Sequence, residues 1–574
     1  MFLLGTHRTV AQRLRLYCDR NLGAGNFFWH AWRVARDRDR PLLFHPDVDA
    51  PDWARQELTG HSLDDLRVAA IRYAHWYREQ GVRPGAHVGL HTRDGLQGLI
   101  HHIAITGLGA AAVHCNPKMA PKTAAEYFLR TEATVLVGDA DLLKGLGDAW
   151  AKDADGRPTP QVQDIARLER TAPRPPGRLA DFPHRHTDDD LIMISHSSGT
   201  TGRPKAPVFH HGSFFAGKRE RLWTFPSLRS DRLLTALPHS HSAGISYLSI
   251  ALLLGIPTLI LDDANGERLV QAINRFRPTT VLGFPLTLAE IAPENITAEA
   301  ARHIHTWHGM GDASHERHIR PLIALGSRTE GGRELTGSRY LDGLGSSEMG
   351  MVLFKQAYTP QTARYARHIG TPAKVVRKAA VLDVHGRELP DGEPGMLGVK
   401  TPSVTAGYLD DPDLTEESTV NGYFLTGDIM RRENGTDWFH LDRTPDVIHT
   451  SEGPVHSLPL EEVVLLATQA LDTAVVAVGD PEAPCRSLPL AVVLHTDGAE
   501  RDPQAELAAC NEALARHGLS PLRGLLLATD RSDLPVGVTG KVLKRVLRER
   551  HRSVLHGPAQ ANLAVAASTD PRKA

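Results

Sequence analysis

The chain has 574 residues, 41% hydrophobic and 23% charged, with a formal net charge of -2. A chain of this size supports a large core and more than one domain, and its balanced charge offers no global field for nucleic acid or an anionic membrane. Four dispersed cysteines (Cys18, Cys115, Cys485 and Cys510) form no CxxC pair, which speaks against a disulfide framework or a Cys-type zinc site and for a reducing cytoplasm.

In chain order, Met1–Arg15 carries Arg8, Arg13 and Arg15 without an apolar core, so it does not read as a secretory signal. His87–Leu90, Ala111–His114, Thr134–Val137, Leu191–Ile194 and Thr280–Leu282 read as strands, and Leu96–Leu108 has helical apolar spacing. Such alternation predicts α/β layers with largely parallel sheets. The most apolar stretch, Ile245–Leu261, contains Gly255 and Pro257 and ends at Asp262-Asp263; a buried helix turning into a strand fits it better than a membrane span. From about Gly395 the pattern turns shorter and more β-like, with Met396–Lys400 and Trp438–Leu441, and a compact α+β segment is expected from Pro445 to about Arg550. The Ala-rich tail beyond His556 lacks an apolar period and reads as mobile. The 31 histidines form no metal set that spacing singles out.

Directly after Leu191–Ile194 comes Ser195-His196-Ser197-Ser198-Gly199-Thr200-Thr201-Gly202-Arg203-Pro204-Lys205. Gly199 and Gly202 allow tight backbone turns that bring amides close to an anion. The hydroxyls of Ser197, Ser198, Thr200 and Thr201 can donate to phosphate oxygens, and Lys205 adds a positive charge. The segment therefore reads as a cradle for a nucleotide triphosphate. Its glycines are too close together, and its Lys too far on, for the common P-loop.

Further segments follow in order: Pro238-His239-Ser240-His241, Gly309-Met310-Gly311-Asp312, Gly343-Leu344-Gly345-Ser346-Ser347-Glu348, Gly395–Tyr408, Tyr423–Asp428, Asp442-Arg443-Thr444-Pro445-Asp446 and Leu534–Lys541. With the phosphate loop, this ordered set resembles the adenylate-forming superfamily of acyl-CoA synthetases, adenylation domains and luciferases, over roughly Phe27 to Arg550. The resemblance implies an α/β fold: a large N-terminal domain of α/β layers with a small β-barrel-like subdomain (1–443), a small mobile α+β C-terminal domain (444–555), and a mobile tail (556–574). It implies ATP and Mg²⁺, and attack of a small-molecule acid on the α-phosphate with loss of pyrophosphate. Ser197, Ser198, Gly199, Thr200, Thr201, Gly202 and Lys205 would hold the β- and γ-phosphates. Gly311, Asp312, Leu344, Gly345, Ser346, Asp428 and Arg443 would line the nucleotide, with Asp428 accepting the ribose hydroxyls. Leu344 stands where the superfamily usually places an aromatic under adenine. Ser347 would donate to the α-phosphate, Glu348 would hold Mg²⁺, and Lys541 would neutralise the acid and the α-phosphate. His241 falls beside the acid pocket, which His239, Phe284 and Met310 would also line; this mix suits a compact or aromatic acid.

Two positions depart from the superfamily. Its hinge residue falls at Pro445, and proline fixes φ near ~−65°, whereas a hinge must change φ and ψ. Ser451-Glu452 replaces a Gly-containing loop beside the usual path of a thiol acceptor, adding bulk and negative charge. Both changes predict retained adenylation and a thioester step that is weakened or lost. CoA, the superfamily's commonest acceptor, is then one candidate. An amine is another, including ATP-dependent diazotisation of an aromatic amine with nitrite, and a separate carrier protein a third. A non-catalytic nucleotide-binding relative is the competing class; Lys541 speaks against it.

Overall fold

The computed structural model describes residues 8–46, 58–153, 156–172, 179–197, 203–225, 230–480, 483–537, 540–556 and 560–566. The phosphate-loop positions Ser198, Gly199, Thr200, Thr201 and Gly202 lie outside the described residues.

Two sheets with parallel cores form the large part of the molecule. One has six strands in the order Gln161–Asp164, Val135–Gly138, His87–His91, Ala111–His114, Leu191–Ile194 and Val208–His210, all parallel except the last. The other has a parallel run of Pro41–Phe44, Thr258–Ile260, Leu233–Thr235, Thr280–Gly283, Thr306–Met310 and Arg339–Gly345. Antiparallel strands extend that run through Val352–Tyr358, His368–Pro372, Asp437–Arg443 and Tyr423–Glu433 to Gly395–Lys400 and Lys378–Leu382.

Helices Gly95–Gly107 and Ser242–Leu254 are predominantly apolar, carry no Asp, Glu, Lys or Arg, and are buried on nearly every side. The Asp94 carboxylate caps the first by accepting from the Gln97 N–H. The second starts at His241 and ends at Gly255, whose φ of 71° is the left-handed conformation that glycine adopts without a Cβ clash. One apolar core joins Leu99 and Leu252 of these helices to Val88 and Ile192 of one sheet and to Leu233 and Leu282 of the other. The apolar stretch expected as helix then strand is thus Ser242–Leu254 followed by Thr258–Ile260.

Parallel strands place the loops after them along one edge, where ligands of open α/β sheets bind. The loops after Leu191–Ile194, Leu233–Thr235, Thr280–Gly283, Thr306–Met310 and Arg339–Gly345 carry Ser197, His241, Phe284, Gly311 and Ser347 in turn.

The C-terminal residues build a separate sheet in the order Asp472–Asp480, Ala483–Leu494, Gly524–Leu527 and Leu563–Val565, packed with helices Ser457–Thr468 and Pro503–Arg516. Its last strand corrects the expectation of a mobile tail from residue 556. Leu563–Val565 pairs antiparallel with Gly524–Leu527, and Ala564 is buried against the core. A three-residue strand among alanines has no readable period, so its burial comes from the partner strand. The C-terminal residues dock on the large part through buried polar contacts. His315 Nδ1 lies 2.6 Å from Glu462 Oε2, and the His318 ring meets the Leu471 carbonyl at 2.8 Å.

Candidate active site

Along the strand edge runs a cleft with two halves that share Gly311, Gly343, Gly345, Arg443 and Lys541. The first half is charged. Asp428 and Arg443 are register partners on adjacent antiparallel strands, so their side chains emerge on one face. Arg443 Nε and His440 Nε2 each lie 3.4 Å from Asp428 Oδ1. Burial alone would raise the Asp428 pKa, but Arg443 and His440 more than offset it and hold the group well below the carboxylate range. An ionised acceptor is therefore fixed beside Asp312, Leu344 and Gly345.

At the junction, the Ala243 N–H donates to His241 Nδ1 at 3.1 Å. That fixes the proton of the neutral ring on Nε2, which faces Ser347 Oγ at 3.4 Å. Burial, reinforced by the Lys541 charge, lowers the His241 pKa to about 4, so the ring stays neutral near pH 7. Ser347 Oγ accepts from His241, which leaves its own O–H free to donate into the cleft. Glu348 follows on the same turn, its Oε2 2.8 Å from Ser346 Oγ and its Oε1 3.5 Å from the Tyr408 hydroxyl.

The turn that carries Ser347 and Glu348 is pinned from behind. The Gly350 carbonyl accepts from Lys218 Nζ at 3.1 Å and from the Ser246 hydroxyl at 3.0 Å. Lys218 is buried, which pushes its ammonium pKa well down, and its Nζ sits 3.3 Å from the Phe214 ring centroid. Lys541 reaches the junction on a tight loop, with the Gly537 N–H donating to the Lys541 carbonyl at 2.7 Å. Gly540, at φ +72°, packs on Phe284, where a Cβ would meet the ring at 3.1 Å.

The second half is apolar and hydroxyl-rich: Ser246, Tyr247, Phe284, Met310 and Met351 line it. Tyr247 Oη pairs with His308 Nε2 at 3.2 Å, and Phe284 meets the His241 ring edge-on. Ser197 and Lys205 enter this half from the phosphate loop, closed where the Ser197 N–H donates to the Lys205 carbonyl at 3.2 Å. Among the described residues the buried Ser197 hydroxyl has no hydrogen-bond partner, as a donor awaiting an anion would have.

The model of the AMP-binding enzyme family matches residues 31–409. This chain belongs to the AMP-binding enzyme family. It is similar to a 3-aminoavenalumate diazotase of Streptomyces sp, 36% identical over 564 residues, covering 94% of this chain and 98% of the relative. It is also similar to a 3-hydroxybenzoate–CoA ligase of Aromatoleum sp. (strain CIB), 23% identical over 508 residues, covering 84% and 90%. The fold matches a crystal structure of the anthranilate CoA ligase AuaEII in complex with anthranoyl-AMP, with TM-score 0.78, 18% identity and coverage of 94% and 99%. Family membership makes this AMP-binding enzyme an AMP-forming ligase with the α/β fold expected from its motifs.

Of the positions expected in its site, Ser197, Lys205, His241, Phe284, Met310, Gly311, Asp312, Leu344, Gly345, Ser346, Ser347, Glu348, Asp428, Arg443 and Lys541 all line the cleft. His239 does not. Its ring packs on Gly98, where a Cβ would meet it at 2.4 Å, and burial lowers its pKa against the opposing pull of Asp262 and Asp94. Pro445 lies in the short 3-10 turn Thr444–Asp446, and Asp446 is ion-paired with Arg548. Glu452 is exposed at the tip of the hairpin of Ile448–Thr450 and Gly453–Val455. His440, Lys218, Ser246, Tyr247 and His308 were not singled out by their sequence positions. His440 alone had a local signal: strand pairing puts it beside the Asp428–Arg443 pair.

Proposed function

We propose that this ligase joins a small oxyacid to AMP at the junction of the two cleft halves, and that its acceptor is an aromatic amine. The observation that carries this proposal is Lys541, which lines both halves and lies close enough for its charge to depress the neighbouring His241. ATP would lie with its ribose hydroxyls on Asp428, its base over Leu344 and its phosphates toward Ser197 and Lys205. An oxygen of the acid attacks the α-phosphorus, and the bond to pyrophosphate breaks. Lys541 neutralises the growing charge, and the Ser347 hydroxyl donates to it while His241 holds Ser347 in place. Glu348, an ionisable carboxylate facing the cleft, fits a Mg²⁺ ion, which would screen the phosphate charge when bound.

Similarity to a diazotase supports nitrite as the acid. A nitrite oxygen would displace pyrophosphate to give a nitrosyl adenylate. The amine nitrogen then attacks the nitrosyl nitrogen, and AMP leaves. The resulting N-nitrosamine tautomerises to a diazohydroxide and loses hydroxide to give the diazonium ion. The apolar half, with Phe284, Met310 and Met351, suits an aromatic ring. Pro445 supports an acceptor that needs no domain swing, as do the buried His315–Glu462 and His318–Leu471 contacts that such a swing would break. The test supplies ATP, Mg²⁺, nitrite and an amino-substituted aromatic acid, with and without CoA. Pyrophosphate release with a trapped azo dye, both independent of CoA, is expected; efficient formation of a CoA thioester instead would sink the amine acceptor.

A further inference from the structure

Away from the cleft, the segment that leads into strand Leu191–Ile194 brings three metal-ligating side chains together. The ligating atoms of His184, His186 and Asp190 all lie within 4.8 Å of one another. His184 Nε2 is 3.1 Å and His186 Nδ1 is 3.4 Å from the same oxygen, Asp190 Oδ2. Ligands spaced tetrahedrally around zinc at lengths of ~2.0–2.1 Å are about 3.3 Å apart. The two measured separations straddle that value.

The tautomer of His186 supplies the second observation. Its Nε2 lies 3.0 Å from the Thr106 carbonyl, so Nε2 carries the proton and Nδ1 presents a lone pair. The side chain is 1% exposed, and among the described residues Nδ1 has no hydrogen-bond partner. It faces the Asp190 carboxylate, another acceptor, at 3.4 Å. Two acceptors aimed at one point call for a cation between them. A ring nitrogen bound to a backbone carbonyl while the other nitrogen faces outward is the usual second-shell arrangement of a ligating histidine.

The donor set is also held in place. The Thr187 N–H and hydroxyl bind the Asp190 carboxylate at 3.1 and 2.7 Å. The His184 ring rests on Gly109 and the His186 ring on Gly25, where added Cβ atoms would meet them at 2.7 and 2.5 Å. The His186 ring also stacks on His211 at 4.6 Å, while the His211 Nδ1 is taken by the Gly25 N–H. His184 and Asp190 remain about a quarter exposed, which leaves room for water as a fourth ligand.

We propose that His184, His186 and Asp190 bind one zinc-class divalent cation, which ties this segment to the end of helix Gly95–Gly107. The His184 N–H already donates to the Gly107 carbonyl at 2.8 Å, and His186 to Thr106, so the ion would clamp an existing junction. It would also brace the strand that ends in the phosphate loop.

The test uses the purified full chain, stripped with a chelator and titrated with Zn²⁺ against a chromophoric competitor. One tight equivalent per chain is expected, with Kd rising ~100-fold or more in His184→Asn and in His186→Asn. Glu348→Gln, which alters the cleft instead, should leave that equivalent in place. Zinc should raise the Tm of the stripped wild type but not that of His184→Asn. Because His186→Asn could fail to fold, Co²⁺ loading of the wild type provides a second readout: a tetrahedral visible spectrum is expected. No tight equivalent in the wild type, unchanged affinity in both histidine variants, loss of the equivalent on Glu348→Gln, or an octahedral cobalt spectrum would each overturn the proposal.

Discussion

The two halves of the cleft are built by opposite means. In the charged half, the buried Asp428 carboxylate is paired with the half-exposed Arg443, and the His440 ring lies beside it. In the other half, beyond Lys205 and Glu348, the wall is made of neutral side chains such as Tyr247, Phe284, Met310 and Met351, and the nearest imidazoles, His241 and His308, are held uncharged by burial, with pKa values lowered to about 4 and about 3. A charged half suits a substrate part that is the same in every turnover. A neutral half selects by shape, which is where relatives of one family can differ in their acid. Lys541 and Arg443 are the cations that line both halves.

The sharpest way to break this contrast is acid. His101, His102, His114, His196, His241 and His308 are neutral when folded, with pKa values lowered chiefly by burial. Unfolded, each binds a proton near pH 6.5, so the unfolded state holds more protons below that pH and stability rises with pH. Stability is then full above pH 6.5 and lost as pH falls toward about 4, at roughly 1.4 kcal/mol per pH unit for each histidine. Six such groups rival a domain's total stability of about 5–15 kcal/mol, so unfolding is expected below about pH 5. Denaturant midpoints at pH 7.5 and pH 5 check this; equal midpoints would contradict the burial of these six rings as neutral imidazoles.

Next in size is the junction. Lys541→Ala should slow pyrophosphate release roughly 10²–10³-fold with little change in the KM for ATP, as expected for a donor that acts mainly in the transition state. An unchanged rate would remove Lys541 from the chemistry. Within the charged half, Asp428→Asn should raise the KM for ATP by roughly 10–100-fold, the scale of a lost charge-assisted hydrogen bond. If the acid's KM rose instead, the halves would be assigned the wrong way round. The smallest effect belongs to the neutral half. Met310→Ala should shift preference among acids and amines by about 10-fold, the scale of a few methylenes in an apolar pocket, and leave the KM for ATP unchanged.

The charged half was the more legible in the sequence. Asp428, Arg443 and Lys541 each sit in a short segment of the ordered set that resembles the adenylate-forming superfamily, and their roles were read from that resemblance. The neutral half was read less well because its members meet only through tertiary packing. Tyr247 and His308 come from a helix and a strand 61 residues apart. Lys218 reaches Gly350 from 132 residues away. His239 and His241 are two residues apart on one loop, yet only His241 faces the cleft; no local pattern says which ring turns inward. The His184–His186–Asp190 cluster was equally silent, since chance spacings abound among 31 histidines. Strand Leu563–Val565 is too short to announce itself, and only its pairing with Gly524–Leu527 orders it.

The most direct test follows ATP, Mg²⁺, nitrite and an amino-substituted aromatic acid in one vessel, with AMP and diazonium quantified together. Equal amounts of AMP and diazonium, formed without CoA and abolished by Lys541→Ala, are expected. AMP that accumulates only when CoA is present, with a thioester and no diazonium, would contradict the assignment of the acceptor.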